Sequence, residues 1–130
     1  MRQNINSGSP FEDRIGFSRA SRVGPYLAIA GTAPIGPDGQ VAHVGDVHAQ
    51  TTRCFELVAE AVHAAGLQLS DVIRTRIMLT NIDEWESAAA AHKEFFADIK
   101  PACTFVEVSR FIDKRWLVEV EVDCVAGTDE

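Results

Sequence analysis

The chain has 130 residues, of which 46% are hydrophobic and 24% charged, as is ordinary for one soluble globular domain. Nineteen acidic residues against 12 basic ones give a net charge of −7, which disfavours the phosphate contacts of non-specific nucleic-acid binding. No apolar run approaches the ~20 residues of a membrane-spanning helix, and the first residues lack an apolar signal core. We therefore expect a single domain over residues 1–130 in the cytoplasm, with neither nucleic acid nor membrane as a partner.

The first third of the chain predicts a β-hairpin after a polar start. Residues 1–14 are polar, and we expect them to be loosely ordered. Residues 15–23 and 26–30 are predicted strands, joined by a Gly-Pro turn. Gly31 follows directly and begins a loop rich in glycine and proline, so either close backbone approach or a positive φ is expected there.

Residues 46–65 carry the period of an amphipathic helix, since apolar residues recur at steps of three and four. Asp46 can cap its start, and Gly66 stands where a helix end favours a left-handed residue. The β-branched run over 72–80 then predicts a strand. The expected buried stripe of the helix consists of Cys54, Leu57, Val58, Ala61, Val62 and Ala65.

A second helix is predicted from Asn81 to about Ile99, because Asn81 and Glu84 have the spacing of a capping box and Pro101 prevents continuation. Two strands follow, at about 103–110 and 115–126. The order β-β-α-β-α-β-β predicts an α+β fold whose two helices lie on one face of the sheet. The apolar stripe of the second helix consists of Trp85, Ala88, Ala89, His92, Phe95 and Phe96.

The alternation of the last two strands predicts a sheet face that is neither polar nor apolar throughout. Such a face can be solvated, or it can be a subunit interface in which some carboxylates line pockets. Composition alone leaves both interpretations open. The expected members of this face are Phe105, Glu107, Leu117, Glu119, Glu121 and Asp123.

Several short segments resemble the RidA/YjgF family, whose archetypal members are imine and enamine deaminases. No single segment is specific, but their order and spacing are. The resemblance implies a chorismate-mutase-like fold with a mixed sheet, and a homotrimer with small-molecule sites in clefts between subunits. The segments are IGFSRA at 15–20, AGTAP at 30–34, DVHAQT at 46–51, AAGL at 64–67, DVI at 71–73, PAC at 101–103, VEV at 106–108 and VEVE at 118–121.

The resemblance also implies site residues. In the deaminating members a glutamate on the last strand orients the attacking water, and Glu121 is the expected equivalent, with Glu119 on the same face as the alternative match. An aromatic residue, here Phe17, shields the pocket. Ala89 stands at a helix position that often holds an asparagine.

Cys103 stands where the deaminating members have the arginine that binds the substrate carboxylate. A guanidinium holds a planar carboxylate by two parallel hydrogen bonds, which a thiol cannot form. Cys103 is therefore a small apolar strand residue, a contact to a different substrate, or a nucleophile, although the sequence shows no histidine or lysine beside it. Its presence argues against the usual 2-imino acid substrate.

Arg19 has the strand parity of Phe17, so we expect both side chains on one face, with Arg19 bordering the cleft and partly replacing the missing cation. The alternative is a surface arginine paired with a carboxylate. Arg74, Arg76 and Arg110 are weaker candidates for the same task.

The sequence thus favours a hydrolytic deaminase that acts on an imine, an enamine or a related small C–N compound, with Glu121 as its catalytic residue. The alternative is a non-catalytic trimer that binds or sequesters small molecules, and the acidic charge disfavours a third function, endoribonuclease. The three cysteines and four histidines lack metal-site spacing, so no metal and no cofactor are expected. The expected substrate-binding residues are Phe17, Arg19, Gly31, Ala89, Cys103 and Phe105.

Overall fold

The computed structural model describes residues 1–127, which form strands, α-helices and two short 3-10 turns. None of the helices in this range combines the length and the apolar character that crossing a membrane requires. The strands are β1 Arg2–Ile5, β2 Ala20–Val23, β3 Tyr26–Thr32, β4 Val72–Leu79, β5 Ala102–Glu107 and β6 Val118–Val125. The helices are α1 Pro10–Ile15, α2 Val47–Ala64 and α3 Trp85–Phe96.

The six strands form one sheet in the order β1-β2-β3-β6-β4-β5. Every neighbouring pair is antiparallel except β4 and β5, which are parallel and are connected through α3. Helices α2 and α3 pack against each other, and α2 also packs on β3 and β6. The predicted α+β fold, a mixed sheet with two helices on one face, is confirmed.

Helix α2 forms where its period and its caps predicted it. The Asp46 side chain accepts a hydrogen bond from the backbone N–H of Ala49 at 3.0 Å, and Gly66 has a φ of +85° after the helix end. Phe55 is also fully buried, although the predicted stripe did not include it. Its ring meets the Phe96 ring edge-on at 5.2 Å, so α3 determines how deeply this position is buried.

The N-terminal prediction was wrong in two respects. Residues 10–15 form helix α1, which begins at Pro10 after the Ser9 cap and ends at Gly16 with a φ of +92°. A six-residue helix is too short to show a hydrophobic period, so it was not predicted in the polar segment, and the strand predicted from residue 15 begins only at Ala20. Residues 2–5 are also not loose, because they pair antiparallel with β2 and form one edge of the sheet.

The prediction for β5 was right about the strand but wrong about its facing. Cys103, Phe105 and Glu107 pair with Thr75, Ile77 and Leu79 of the parallel strand β4, and those three residues are buried on the helix side. Side chains paired in this way share a sheet face. Phe105 and Glu107 therefore do not belong to the face opposite the helices. In β5, apolar residues occur at both odd and even positions. The sequence therefore does not indicate which set of side chains faces the helices.

Gln50 is a buried polar side chain that joins α2 to two loops. Its Nε2 donates to the carbonyl oxygens of Ala42 at 3.1 Å and Arg115 at 3.0 Å. Its Oε1 accepts from the backbone N–H of Leu117 at 2.9 Å. Because Gln50 has no exposed surface, water cannot replace these bonds, so this residue holds the start of β6 in place.

Candidate functional site

The sheet face opposite the helices, called the open face below, carries the carboxylates of β6. Glu119, Glu121 and Asp123 point to it, because the residues between them are buried toward the helices. The predicted alternation of the last strand is therefore confirmed. The buried set is Val118, Val120, Val122 and Cys124.

Two of these carboxylates are paired with arginines of β4. Arg76 Nη1 lies 2.6 Å from Glu121 Oε1, and Arg74 Nε lies 3.5 Å from Asp123 Oδ2. Both pairs are half-exposed and join residues that face each other across β4 and β6. Glu121, the expected catalytic residue, thus has an oxygen that already accepts a strong charged hydrogen bond.

Glu119 has a different environment. Burial raises the pKa of its carboxyl group; the charge of Arg19 opposes this shift, and the charge of Glu121 adds to it. A Cβ atom added at Gly31 would lie 3.5 Å from Glu119 Oε1, so the missing side chain leaves space beside this carboxylate. Of the two expectations for Gly31, close approach is observed and a positive φ is not.

Gly31 reaches Glu119 because β3 is irregular at this point. The pairing of β3 with β6 shifts register between Ile29 and Thr32, as in a β-bulge. Such an extra residue changes the direction of the strand beside it. Gly31 therefore lies within the irregular part of β3, beside the Glu119 side chain of β6.

Arg19 and Phe17 lie together, although not for the predicted reason. Both residues precede β2 in an irregular segment, so strand parity does not apply to them. Arg19 Nη2 donates to the Gly31 carbonyl oxygen at 2.5 Å. Its Cζ lies 5.9 Å from the centre of the Phe17 ring, within cation–π range. Arg19, Phe17, Gly31 and Glu119 thus form one contiguous group, which we call the Glu119 cluster.

Cys103 and Phe105 lie elsewhere in the chain. They belong to β5, which is separated from β3 by β6 and β4, so about 14 Å lies between the two strands. The Phe105 ring packs edge-on against Trp85 at 6.0 Å, and Ala89 is a half-buried residue of the same helix α3. A single chain therefore does not bring the six expected substrate-binding residues together.

The surroundings of Cys103 contain a feature that the sequence did not reveal. Cys103 is exposed and pairs in register with Thr75, whose Oγ1 lies 2.8 Å from His92 Nε2. The histidine comes from α3 and was predicted only as a member of its apolar stripe. Burial lowers the pKa of His92, which favours its neutral form.

Two shallow grooves lie on the open face. One, of about 340 Å³, is lined by Phe17, Ala30 and Arg2 among others and borders the Glu119 cluster. The second, of about 580 Å³, is lined by Tyr26 and Ile73 among others. Within residues 1–127, no group of three or more histidine, cysteine, aspartate or glutamate side chains is arranged to hold a metal ion.

Comparison with known proteins gives one consistent result. Residues 10–126 match the family model described as Endoribonuclease L-PSP. The chain is 38% identical over 125 residues to an uncharacterized protein of Streptomyces coelicolor, which covers 96% of this chain and 92% of that protein. It is 33% identical over 105 residues to a RutC family protein of Pyrococcus abyssi, covering 81% of this chain and 82% of that protein.

Solved structures agree with these relatives. Rv2704 of Mycobacterium tuberculosis, described as a member of the YjgF/YER057c/UK114 family, superposes with a TM-score of 0.88 at 37% identity, over 97% of this chain and 100% of that one. The YjgF gene product of E. coli superposes with a TM-score of 0.77 at 26% identity, over 94% of this chain and 93% of that one.

Proposed function

The chain belongs to the RidA/YjgF family, also described as L-PSP, and on that premise we propose that it hydrolyses the C–N bond of a small imine or enamine. The observation that carries the proposal is the Glu119 carboxylate, which is half-buried beside Gly31 with open space next to it. Burial raises the pKa of this carboxyl group, which makes its carboxylate a stronger base than that of a solvated glutamate.

In the proposed reaction Glu119 accepts a proton from water while the water oxygen bonds to the imine carbon. That proton passes to the nitrogen and gives a carbinolamine. Glu119 then carries the hydroxyl proton to the nitrogen in the same way, the C–N bond breaks, and ammonia leaves with the carbonyl product. The Phe17 ring borders the adjoining groove and shields it from solvent. A carboxylate that accepts and returns one proton in this way acts as general base and then as general acid.

We assign this role to Glu119 and not to Glu121. The two residues are alternate members of one strand, so the family resemblance alone does not separate them. Their partners do, because Glu121 is held by Arg76, whereas Glu119 lies beside the open space at Gly31. A water molecule can reach the second carboxylate without displacing a guanidinium.

The substrate class follows from the arginines. Cys103 offers no guanidinium at the usual carboxylate-binding position, and Arg74 and Arg76 already pair with carboxylates. A substrate without a carboxylate next to the imine carbon suits such a site better than a 2-imino acid. Purified protein, given imines generated by oxidases from amino acids and from simple amines, should release ammonia faster from the amine-derived set.

A homotrimer is part of the proposal. The open face has no helix over it in the described residues, yet it and its groove expose Val23, Tyr26, Ile73 and Val106. Apolar side chains of this size, grouped around two ion pairs, are typical of a subunit interface.

Replacing Ile73 by aspartate is expected to dissociate the oligomer, because the new charge would be buried without a partner. Sedimentation equilibrium should give about three times the 14.2 kDa chain mass for the unaltered protein and a smaller mass for the variant. Ile112→Asp is the matched control, since Ile112 is 76% exposed in the loop between β5 and β6. Equal masses for both variants would contradict the interface.

Replacing Gly31 by alanine is expected to remove activity without harming the fold. The new Cβ would stand in ordinary contact with Glu119, 3.5 Å from Oε1, and Gly31 has no positive φ that alanine would strain. Filling the space beside the carboxylate should lower kcat about tenfold or more, since misplacement of a reacting group by about 1 Å has effects of that size. A variant with native thermal unfolding and full activity would exclude the space beside Gly31 as the site of reaction.

A non-catalytic binding protein is the second candidate, and the observation that favours it is Cys103 in place of the arginine. This function predicts no acceleration of imine hydrolysis by the native protein, together with activity on 2-imino acids in Cys103→Arg. The endoribonuclease description of the family model is less compatible with a net charge of −7.

A further inference from the structure

Glu12 is a buried carboxylate that the sequence did not single out. It belongs to α1 and is only 5% exposed. The backbone N–H of Ser7 donates to both of its carboxylate oxygens at 3.2 Å, and the Ser7 hydroxyl donates to Oε2. A buried carboxylate needs a nearby positive charge as well as hydrogen bonds. The charge of Glu12 raises the pKa of Arg19, so Arg19 is a cation near enough to act on this carboxylate.

Arg19 is a largely buried cation on which the charges of two carboxylates act. Burial lowers the pKa of its guanidinium, while the charges of Glu12 and Glu119 raise it, so the group remains charged. Its Nη2 is bonded to the Gly31 carbonyl oxygen at 2.5 Å. Its Nε is buried and has no hydrogen-bond partner among the described residues. The side chain is thus held within the protein on several sides.

We propose that Arg19 is a positioning residue that, supported by Glu12 from the N-terminal helix, fixes the place and the charge of Glu119 beside Gly31. The effect of Arg19 on catalysis rests on the proposed function, but its effect on the position and charge of Glu119 does not. Arg19 holds the backbone of β3 through the Gly31 carbonyl and attracts the Glu119 carboxylate at the same time. The segment before β2 thereby becomes part of the site.

The inference changes the role that the sequence suggested for Arg19. A buried guanidinium that is bonded to the Gly31 carbonyl oxygen, with the charges of Glu12 and Glu119 nearby, is poorly placed to bind a substrate carboxylate. Its effect on the reaction is instead electrostatic, since a neighbouring cation favours the ionised form of Glu119. Glu12 limits this effect, because its negative charge offsets part of the positive charge of Arg19.

Other titratable groups near the cluster act less directly. Glu121, on the same strand, raises the pKa of Glu119. Cys54 is fully buried on α2, and burial raises the pKa of its thiol so far that it is neutral at pH 7. Arg53, also on α2, contributes to the charge around Cys54 and donates its Nε to the Ile35 carbonyl oxygen. None of the substitutions in the test below replaces Glu121, Cys54 or Arg53.

The test is a titration of Glu119 followed through its side-chain carboxyl carbon by NMR, with Glu119→Gln used to assign the resonance. Arg19→Gln should move the midpoint to higher pH, because the positive charge that lowers the pKa of Glu119 is then absent. Arg19→Lys should keep it closer to the native value, since the charge remains. Glu12→Gln should move it to lower pH, because the charge of Arg19 is no longer offset.

Arg22→Gln is the matched control. Arg22 lies on β2 and donates to the Ala65 carbonyl oxygen at 2.6 Å, so it too binds backbone, but at the end of α2. Its loss should leave the Glu119 midpoint in place. Shifts of opposite sign for Arg19→Gln and Glu12→Gln would distinguish an electrostatic role from a loss of packing, which has no reason to reverse direction.

Activity gives a second readout. If Glu119 is the general base, the pH profile of kcat should follow the NMR midpoint in each variant, so its rising limb should move to higher pH in Arg19→Gln. Midpoints that shift as expected without any hydrolysis would defeat the proposed function and leave the inference intact. Unchanged midpoints in Arg19→Gln and Glu12→Gln, in protein that unfolds at the native temperature, would overturn the inference itself.

Discussion

Glu119→Gln is expected to lower kcat for imine hydrolysis by about 10²- to 10⁴-fold, the range that a positioned general base or acid contributes. Glutamine has the same shape and keeps hydrogen-bonding capacity, but it cannot accept a proton from water. KM should change little, because the substrate does not depend on the negative charge for binding. Ammonia release under saturating substrate measures the effect directly.

The control for this experiment lies two residues further along the strand. Glu121→Gln removes a carboxylate of the same strand and face whose oxygen is held by Arg76 at 2.6 Å. It should keep kcat within severalfold of the native value. If Glu121→Gln proved the inactive variant and Glu119→Gln the active one, the reaction would belong to the ion-paired carboxylate, and our assignment would be wrong.

Glu119→Gln should also make the protein more stable at neutral pH. The pKa of Glu119 is higher in the folded protein than its usual value, so folding favours the protonated form. Stability is therefore lost as the pH rises from the usual pKa of a glutamate through the raised one, and the loss is complete above it. Glutamine cannot ionise, so Glu119→Gln should gain stability over native protein above this window and not below it.

Gln50→Leu is expected to lower the free energy of unfolding by about 3 kcal/mol or more, since each buried polar group left without a partner costs about 1–3 kcal/mol. The variant would remove the hydrogen-bond partner of three backbone groups. These are the carbonyl oxygens of Ala42 and Arg115 and the N–H of Leu117. Leucine fills a similar volume, so the effect would arise from lost hydrogen bonds. Urea unfolding at one protein concentration measures it.

Thr52→Ala on the same helix is the control for Gln50→Leu. Thr52 Oγ1 donates to the His48 carbonyl oxygen at 3.1 Å, a local bond at a half-buried position. Alanine favours helix, and the carbonyl keeps its helical partner, so a change below about 1 kcal/mol is expected. A similarly small change in Gln50→Leu would show that the loops at Ala42 and Arg115 do not depend on Gln50.

The site could be predicted only in part, and particular residues show why. The resemblance identified the last strand and Gly31, but it left Glu119 and Glu121 as alternatives. The ion pair between Arg76 and Glu121 distinguishes the two candidates. Arg76 is 45 positions away from Glu121 in the sequence and faces it on the neighbouring strand β4. Glu12 carried no signal at all, because a single acid in a polar segment looks the same whether it is buried or solvated.

The sequence by itself determined α2, α3, β3, β4 and the alternation of β6, because helical periods, the Asp46 cap and β-branched runs act between residues close along the chain. The predicted capping box of α3 was wrong, since Asn81 caps the 3-10 turn Ile82–Glu84 and α3 begins at Trp85. The tertiary structure alone decided that Cys103 and Phe105 face the helices, and that Arg19 binds the Gly31 carbonyl oxygen near Glu119. These features depend on which strands become neighbours and on which charges meet after folding. Local propensity carries no information about such contacts. The family segments therefore predicted the fold, whereas our choice of Glu119 over Glu121 rests on contacts between distant parts of the chain.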